Sequence, residues 1–220
     1  MTETADVPAL ERTRASYDTV AADYADLLRH ELAGAPLERA MLAAFAELAL
    51  AAGAGPVGDL GCGPGRVTAH LHGLGVDAFG VDLSSGMVEV ARADHPGLRF
   101  EQGSMTALDL ADGALGGVLS WYSTVHTPPE QLPVVFAEYA RVLAPGAPLL
   151  IAFKAGEGGR RLAHAYRHPV SLDVHYFAPE RVSALLAAAG LDVRSLLIRQ
   201  PEPDERTPQG YLLARKPAAA

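Results

Sequence analysis

A single cysteine, Cys62, stands among 220 residues, so no disulfide can close within the chain and its stability must come from a packed core. No apolar run reaches the roughly 18 residues that would span a bilayer. No charged-then-apolar leader opens the sequence, and none of it is an internal repeat. Basic residues are also thinly spread: 18 Lys and Arg face 26 Asp and Glu, for a formal charge of −8, and no Lys/Arg cluster offers a footprint for phosphates. These absences predict a soluble, cytoplasmic protein with neither a nucleic acid nor a membrane as partner. The length suits one domain with one site. Nothing near Cys62 in the sequence lowers a thiol pKa, and a small residue packed in a turn is the simpler reading than a nucleophile.

Residues 1–10 lack periodicity and are expected to form a flexible tail, as is 217–220 at the other end. Between them, 11–216 reads as the domain. "RTRASYDTVAADYADLLRHEL" puts Tyr17, Val20, Ala21, Tyr24, Leu27 and Leu28 at helical spacing, and "LERAMLAAFAELALAA" forms a second helix stopped by Gly53 and "GAGPVG". These helices make an N-terminal part over 11–53. Strand-like and helical runs then alternate: "VGDL", "GRVTAHLHGLG", "VDAFGVDL", "GMVEVARAD", "LRFEQGSM", "ALGGVLSWYS", "LPVVFAEYARVL", "PGAPLLIAFK" and, after 155–178, "PERVSALLAAAG". Such alternation implies parallel strands joined by right-handed crossovers, an α/β sheet with helices on both faces. The last two runs, "LDVRSLLIR" and "GYLLARK", are joined by a loop too short for a parallel crossover and should pair antiparallel.

The first strand ends in "DLGCGPG", at the turn where open α/β sheets bind ligands. Gly61, Gly63 and Gly65 allow close backbone approach and positive φ, and the helix from Arg66 presents free N–H groups. Asp82 ends the next strand, in "GVDLSS". A carboxylate there can accept both ribose hydroxyls of an adenosine cofactor; the alternative is a helix cap, for which Ser84 or Ser85 fits better. The G-x-G-x-G spacing differs from the G-x-G-x-x-G of a pyrophosphate turn, and Asp59 would face phosphates with like charge. S-adenosylmethionine instead carries an ammonium and a sulfonium.

From about Tyr17 to Lys154, together with the closing strand pair, the chain resembles the class I S-adenosylmethionine-dependent methyltransferase family of the small-molecule type. The resemblance implies a single Rossmann-like domain: a seven-stranded, mostly parallel sheet with an antiparallel last strand, and an N-terminal helical lid. It implies that Asp59 and the turn at Gly61, Cys62 and Gly63 hold the methionine end of the cofactor. Asp82 would bind the ribose, with Leu83 and Met87 lining the adenine. "EQGSMTAL" resembles the next motif and implies adenine contacts from Ser104 and Met105, although relatives often carry aspartate at the serine. "GGVLSWYSTVHT" resembles the segment beneath the transferred methyl, placing Ser120 and Trp121 at the cofactor and Tyr122 toward the acceptor. Gly116 and Gly117 depart from the acid common there. "YDTVAADY" resembles the lid, giving Tyr17 and Tyr24 cofactor roles; core packing reads Tyr17 equally well.

The expected reaction is in-line methyl transfer to a small molecule through an oxygen or nitrogen nucleophile, releasing S-adenosylhomocysteine. An NAD-dependent oxidoreductase and a non-catalytic S-adenosylmethionine-binding regulator are the alternatives. His126, just past the fourth strand, is the best-placed base. The segment 155–178 is expected on the substrate side, with Tyr166, Arg167, His175 and Tyr176 as a polar, aromatic wall and Arg160, Arg161 and Arg167 available to a carboxylate or phosphate. His164 and His168 would share a helical face at metal-ligand spacing, with His175 following, but lack a clear third ligand, and no metal is expected.

Overall fold

A computed structural model describes residues 7–203 and 205–218. Helix α1 (Val7–Leu28) begins earlier than its periodicity announces. Residues 7–10, expected in the tail, are helical: Pro8 stands in the first turn, where proline is favoured, and Leu10 faces the cavity described below. The remainder of that tail, 1–6, lies outside the described residues. Helix α2 (Pro36–Ala52) ends on Gly53, whose left-handed φ of 59° caps it.

The alternating body follows as β1 (Val57–Leu60), α3 (Arg66–Gly73), β2 (Ala78–Asp82), α4 (Ser85–Asp94), β3 (Phe100–Gln102), β4 (Gly117–Trp121), α5 (Leu132–Val142) and β5 (Pro148–Lys154). A hairpin, β6 (Gly159–Ala165) and β7 (His168–His175), precedes α6 (Pro179–Ala188), β8 (Asp192–Arg199) and β9 (Gln209–Arg215). The main sheet has the order β3-β2-β1-β4-β5-β9-β8. Strands β1 to β5 run parallel, and β9 inserts antiparallel between β5 and β8, with Leu212 opposite both Ile151 and Leu196.

Strand alternation divides the core. Val118, Leu149, Ile151 and Phe153 pack against Val135, Phe136 and Tyr139 of α5 and Leu186 of α6. Their neighbours Leu119, Leu150 and Ala152 face Leu42 and Phe45 of α2 and Leu71 of α3. Because β5 is buried on both faces, it reads as a continuous apolar run, and each such side chain contributes about 1.5–3 kcal/mol on burial. Strand order reverses between β1 and β4, so the glycine turn after β1 opens at the crevice this reversal creates.

The hairpin was not legible as strands. Most of β6 is exposed and lacks alternating apolar residues, which leaves no period of two to read. Its two-residue turn, Tyr166 and Arg167, has φ of 50° and 70°, a geometry that usually selects Asn-Gly. Tertiary contacts hold it: the Tyr166 ring meets Tyr24 edge-on at 4.7 Å, and Arg167 pairs with Asp23 at 3.3 Å. No helix among the described residues is long and apolar enough to cross a membrane.

Candidate active site

A cavity of about 350 Å³ opens at the carboxyl ends of β1, β2, β4 and β5, with α1 and the hairpin forming its outer wall. Gly61 and Gly63 reach it from the turn, at φ of 81° and 54°. Asp82 enters it from β2 with both carboxylate oxygens oriented: Oδ2 accepts from the Gly63 amide at 2.8 Å and Oδ1 from the Ser84 amide at 2.9 Å. Each oxygen keeps a lone pair for a ligand hydroxyl, and burial raises the carboxyl pKa. Asp82 is not the cap of α4. That role belongs to Ser84, whose Oγ accepts from the Met87 amide at 3.0 Å.

Beside the turn lies a small recess lined in part by Asp59, Arg66 and Trp121. Asp59 Oδ2 accepts from the Thr68 hydroxyl at 2.6 Å, whereas Oδ1 is buried without a partner. Burial, aided by Asp82 and opposed by Thr68 and Arg66, moves this carboxyl up to about 7. Arg66 Nη1 and Trp121 Nε1 are likewise buried and unpartnered, although Arg66 also pairs with Glu31 at 2.5 Å. One orphaned acceptor and two orphaned donors around one recess match the ammonium and carboxylate of an amino acid. Asp82 matches a ribose, and Leu83, Met87, Ser104 and Met105 line the same cavity. The residues present therefore fit S-adenosylmethionine.

The lid side is aromatic. Tyr17 and Tyr24 meet at 5.9 Å, and Tyr17 packs edge-on against His126 at 5.2 Å. His126 Nδ1 is 2.7 Å from the Asp173 carbonyl, which can only accept, so the proton sits on Nδ1 and Nε2 faces the Tyr17 hydroxyl at 2.6 Å. Burial lowers this imidazole to about 4 and holds Tyr17 well above its ordinary value, so both are neutral near pH 7. Tyr122 stands at φ 55° on the cavity wall, its hydroxyl 2.9 Å from that of Tyr211 and 3.3 Å from Glu38 Oε1.

Several residues expected at the site lie off the cavity, mostly because strands alternate. Trp121 faces the cavity, so its neighbour Ser120 points behind it, bonded to Ser123 at 2.8 Å and to Tyr139 at 3.2 Å. Leu172 and Val174 face inward, which turns His175 away to stack on Phe177. Tyr176 continues past the strand, its amide bound to Gly158, and Arg167 is committed to Asp23. Cys62, by contrast, lines the small recess with Gly61 and Gly63, while it also packs with Val88, Ala91 and Phe100, and burial pushes its thiol well up. His164 and His168 are on strands rather than one helix: His164 pairs across with Pro169 and His168 with Ala165, so their side chains leave on opposite faces. His168 bonds Asp23 at 2.6 Å, and no metal-binding group of three ligands occurs among the described residues.

Sequence reasoning missed Asp18, Glu38, Lys154, Leu162, Leu172 and Val174. Asp18 fastens the lid helix to α4, accepting from the Ser84 hydroxyl at 2.7 Å and the Gly86 amide at 3.0 Å. Its only sequence signal is adjacency to Tyr17.

The chain is similar to known proteins. Residues 57–146 match a family described as a methyltransferase domain. The chain is 35% identical over 118 residues to N-demethylindolmycin N-methyltransferase of Streptomyces griseus, covering 50% of each protein. It is 36% identical over 104 residues to trans-aconitate 2-methyltransferase of Rhizobium meliloti, covering 44% of this chain and 38% of that one. The chain thus spans half or less of these curated relatives. Among solved structures, the 1,6-didemethyltoxoflavin-N1-methyltransferase of Burkholderia thailandensis aligns over 99% of this chain and 92% of its own, with a TM-score of 0.70 at 21% identity. A methyltransferase from Methanosarcina mazei aligns over 74% and 93%, with a TM-score of 0.67 at 18% identity. At those identities the likeness is one of fold.

Proposed function

We propose that the chain is a member of the class I S-adenosylmethionine-dependent methyltransferase family and that it transfers a methyl group from S-adenosylmethionine to an oxygen or nitrogen of a small molecule. The observation carrying this reading is the complementary pair of sites on β1 and β2: a recess with orphaned Asp59, Arg66 and Trp121 atoms, and Asp82 with two aligned carboxylate oxygens. S-adenosylmethionine supplies a methyl already activated on a sulfonium, so the chain's task is alignment and exclusion of water. Asp82 orients the ribose, and Asp59, Arg66 and Trp121 fix the amino acid end. Tyr17 and Tyr24 cover the site from α1. His126 holds the Tyr17 hydroxyl in place, and a proton leaving the acceptor has a path through that hydroxyl to Nε2. The acidic charge of −8 favours a small-molecule acceptor over a nucleic acid.

The test is calorimetric titration with S-adenosylhomocysteine, using NAD as control, across pH 6 to 8. Micromolar binding of the former alone is expected; binding of NAD alone, or of neither, overturns the reading. The pH dependence has a fixed sign. Asp59 must ionise to meet the ligand ammonium, and its carboxyl lies at about 7 in the free protein. Affinity should therefore rise with pH and level off above about 7, falling roughly tenfold from pH 8 to pH 6. In Asp59→Asn this slope should vanish.

A further inference from the structure

We propose that the acceptor carries an oxyanion, a carboxylate or a phosphate monoester, on an apolar body, and that Lys154 and Arg160 bind it. This rests on the methyl-donor reading of the cavity and adds the chemical class of the acceptor.

Every acid lining the cavity is already matched. Glu31 pairs with Arg66 at 2.5 Å. Glu205 forms a two-pronged pair with Arg199, at 2.7 Å for each prong. Glu38 accepts from Tyr211 at 2.9 Å and lies 3.7 Å from Arg199, and Asp82 takes two backbone amides. Apart from Arg66, the cations are not matched. Arg14, Lys154 and Arg160 all line the cavity, and the side chain of none of them has an ion pair or hydrogen bond among the described residues. Cationic side chains left without an acid partner in a partly desolvated cavity favour an anion.

Position singles out two of these cations. Lys154 ends β5 beside the carboxyl end of β4, and its Nζ lies 5.8 Å from the Tyr122 ring centre. Arg160 lies across the hairpin from Val174, and Leu162 across from Leu172; all four line the cavity. The same alternation sends Arg161 to the outer face, where Asp173 holds it at 2.7 and 2.8 Å. Of the three arginines that the sequence offered, Arg161 and Arg167 are thus consumed by ion pairs and Arg160 is left. Burial lowers Lys154, with Arg160 and Arg199 acting in the same direction and Glu205 and Glu31 opposing, so an anion here relieves a strained ammonium. Leu162, Leu172 and Val174 provide the surface for the apolar body.

Phenylacetate, phenyl phosphate and phenylacetamide share an apolar ring and differ in charge, and serve as probes for calorimetric titration with and without S-adenosylhomocysteine. At least one anion should bind tenfold or more tightly than the amide, and the tighter anion identifies the source of the oxyanion. Lys154→Met and Arg160→Gln should each remove most of this preference, Lys154→Arg should restore it, and S-adenosylhomocysteine affinity should stay within twofold in all three. Equal binding of amide and acid, no anion binding at millimolar concentration, or a preference that survives both substitutions overturns the proposal. Failure of S-adenosylhomocysteine to bind while the anion preference persists overturns the donor reading instead.

Discussion

Asp82→Ala is expected to weaken S-adenosylhomocysteine binding by roughly tenfold to a hundredfold, about 1–3 kcal/mol, measured by calorimetry at pH 8. Two losses combine. The ligand ribose loses its acceptor, and the amides of Gly63 and Ser84, now held at 2.8 and 2.9 Å, lose theirs. The second loss loosens the turn before any ligand arrives. Asp82→Asn should rescue only in part, since its NH₂ group must face one of those amide donors. Matching melting curves for both variants and the parent would separate lost contacts from a lost fold. Unchanged affinity in the alanine variant would remove the ribose role from Asp82.

Gly61→Ala should be the most damaging single methyl in the turn, lowering stability by about 2–5 kcal/mol in denaturant titration. Its φ of 81° is a conformation that alanine adopts at a cost of about 1–2 kcal/mol. The new Cβ would also stand 2.2 Å from the Ser123 Cβ, which is no flexible tip that can swing aside. Ser123 is fixed by its 2.8 Å bond to Ser120, so relief requires the loop after β4 to retreat from the glycine turn. Adding Ser123→Gly removes the clash but not the φ cost, and should recover about half of the loss. Full stability in Gly61→Ala would show that the turn does not need the close approach seen here.

The main sheet was readable because a parallel strand buried on both faces reads as a largely apolar run, and "VGDL", "GVLSW" and "PLLIAFK" are short runs of that kind between amphipathic helices, broken only by Asp59, Ser120 and the terminal Lys154. The antiparallel β8–β9 pair followed from loop length alone. The donor side was legible for a related reason. Its turn and its acid are local to strand ends, and Gly61, Gly63 and Asp82 reach the cavity without reference to distant segments. The acceptor side depends on register, which the sequence does not announce. Whether Arg160 or Arg161 faces inward is decided by a one-residue choice in β6, and Ser120 and His175 were misplaced by the same ambiguity. Asp18 and Glu38 act through partners far along the chain, Ser84 and Tyr211, and no local pattern reports such pairings.

The hairpin forms its own two-stranded sheet and shares no ladder with the seven-stranded one. Its side chains reach the cavity, yet the strands that carry the donor site do not depend on its hydrogen bonds. Residues 57–146, which match the family, also end before Lys154, Arg160 and the hairpin begin. The strand ladder that carries the glycine turn and Asp82 is thus independent of the hairpin, whereas the lid is not: Tyr166 packs on Tyr24 and the Asp173 carbonyl orients His126. For anyone redesigning this protein toward a new acceptor, the inward-facing positions Arg160, Leu162, Leu172 and Val174 are the ones to exchange, and the glycine turn, Asp82 and the hairpin's holds on the lid are the chassis to leave alone.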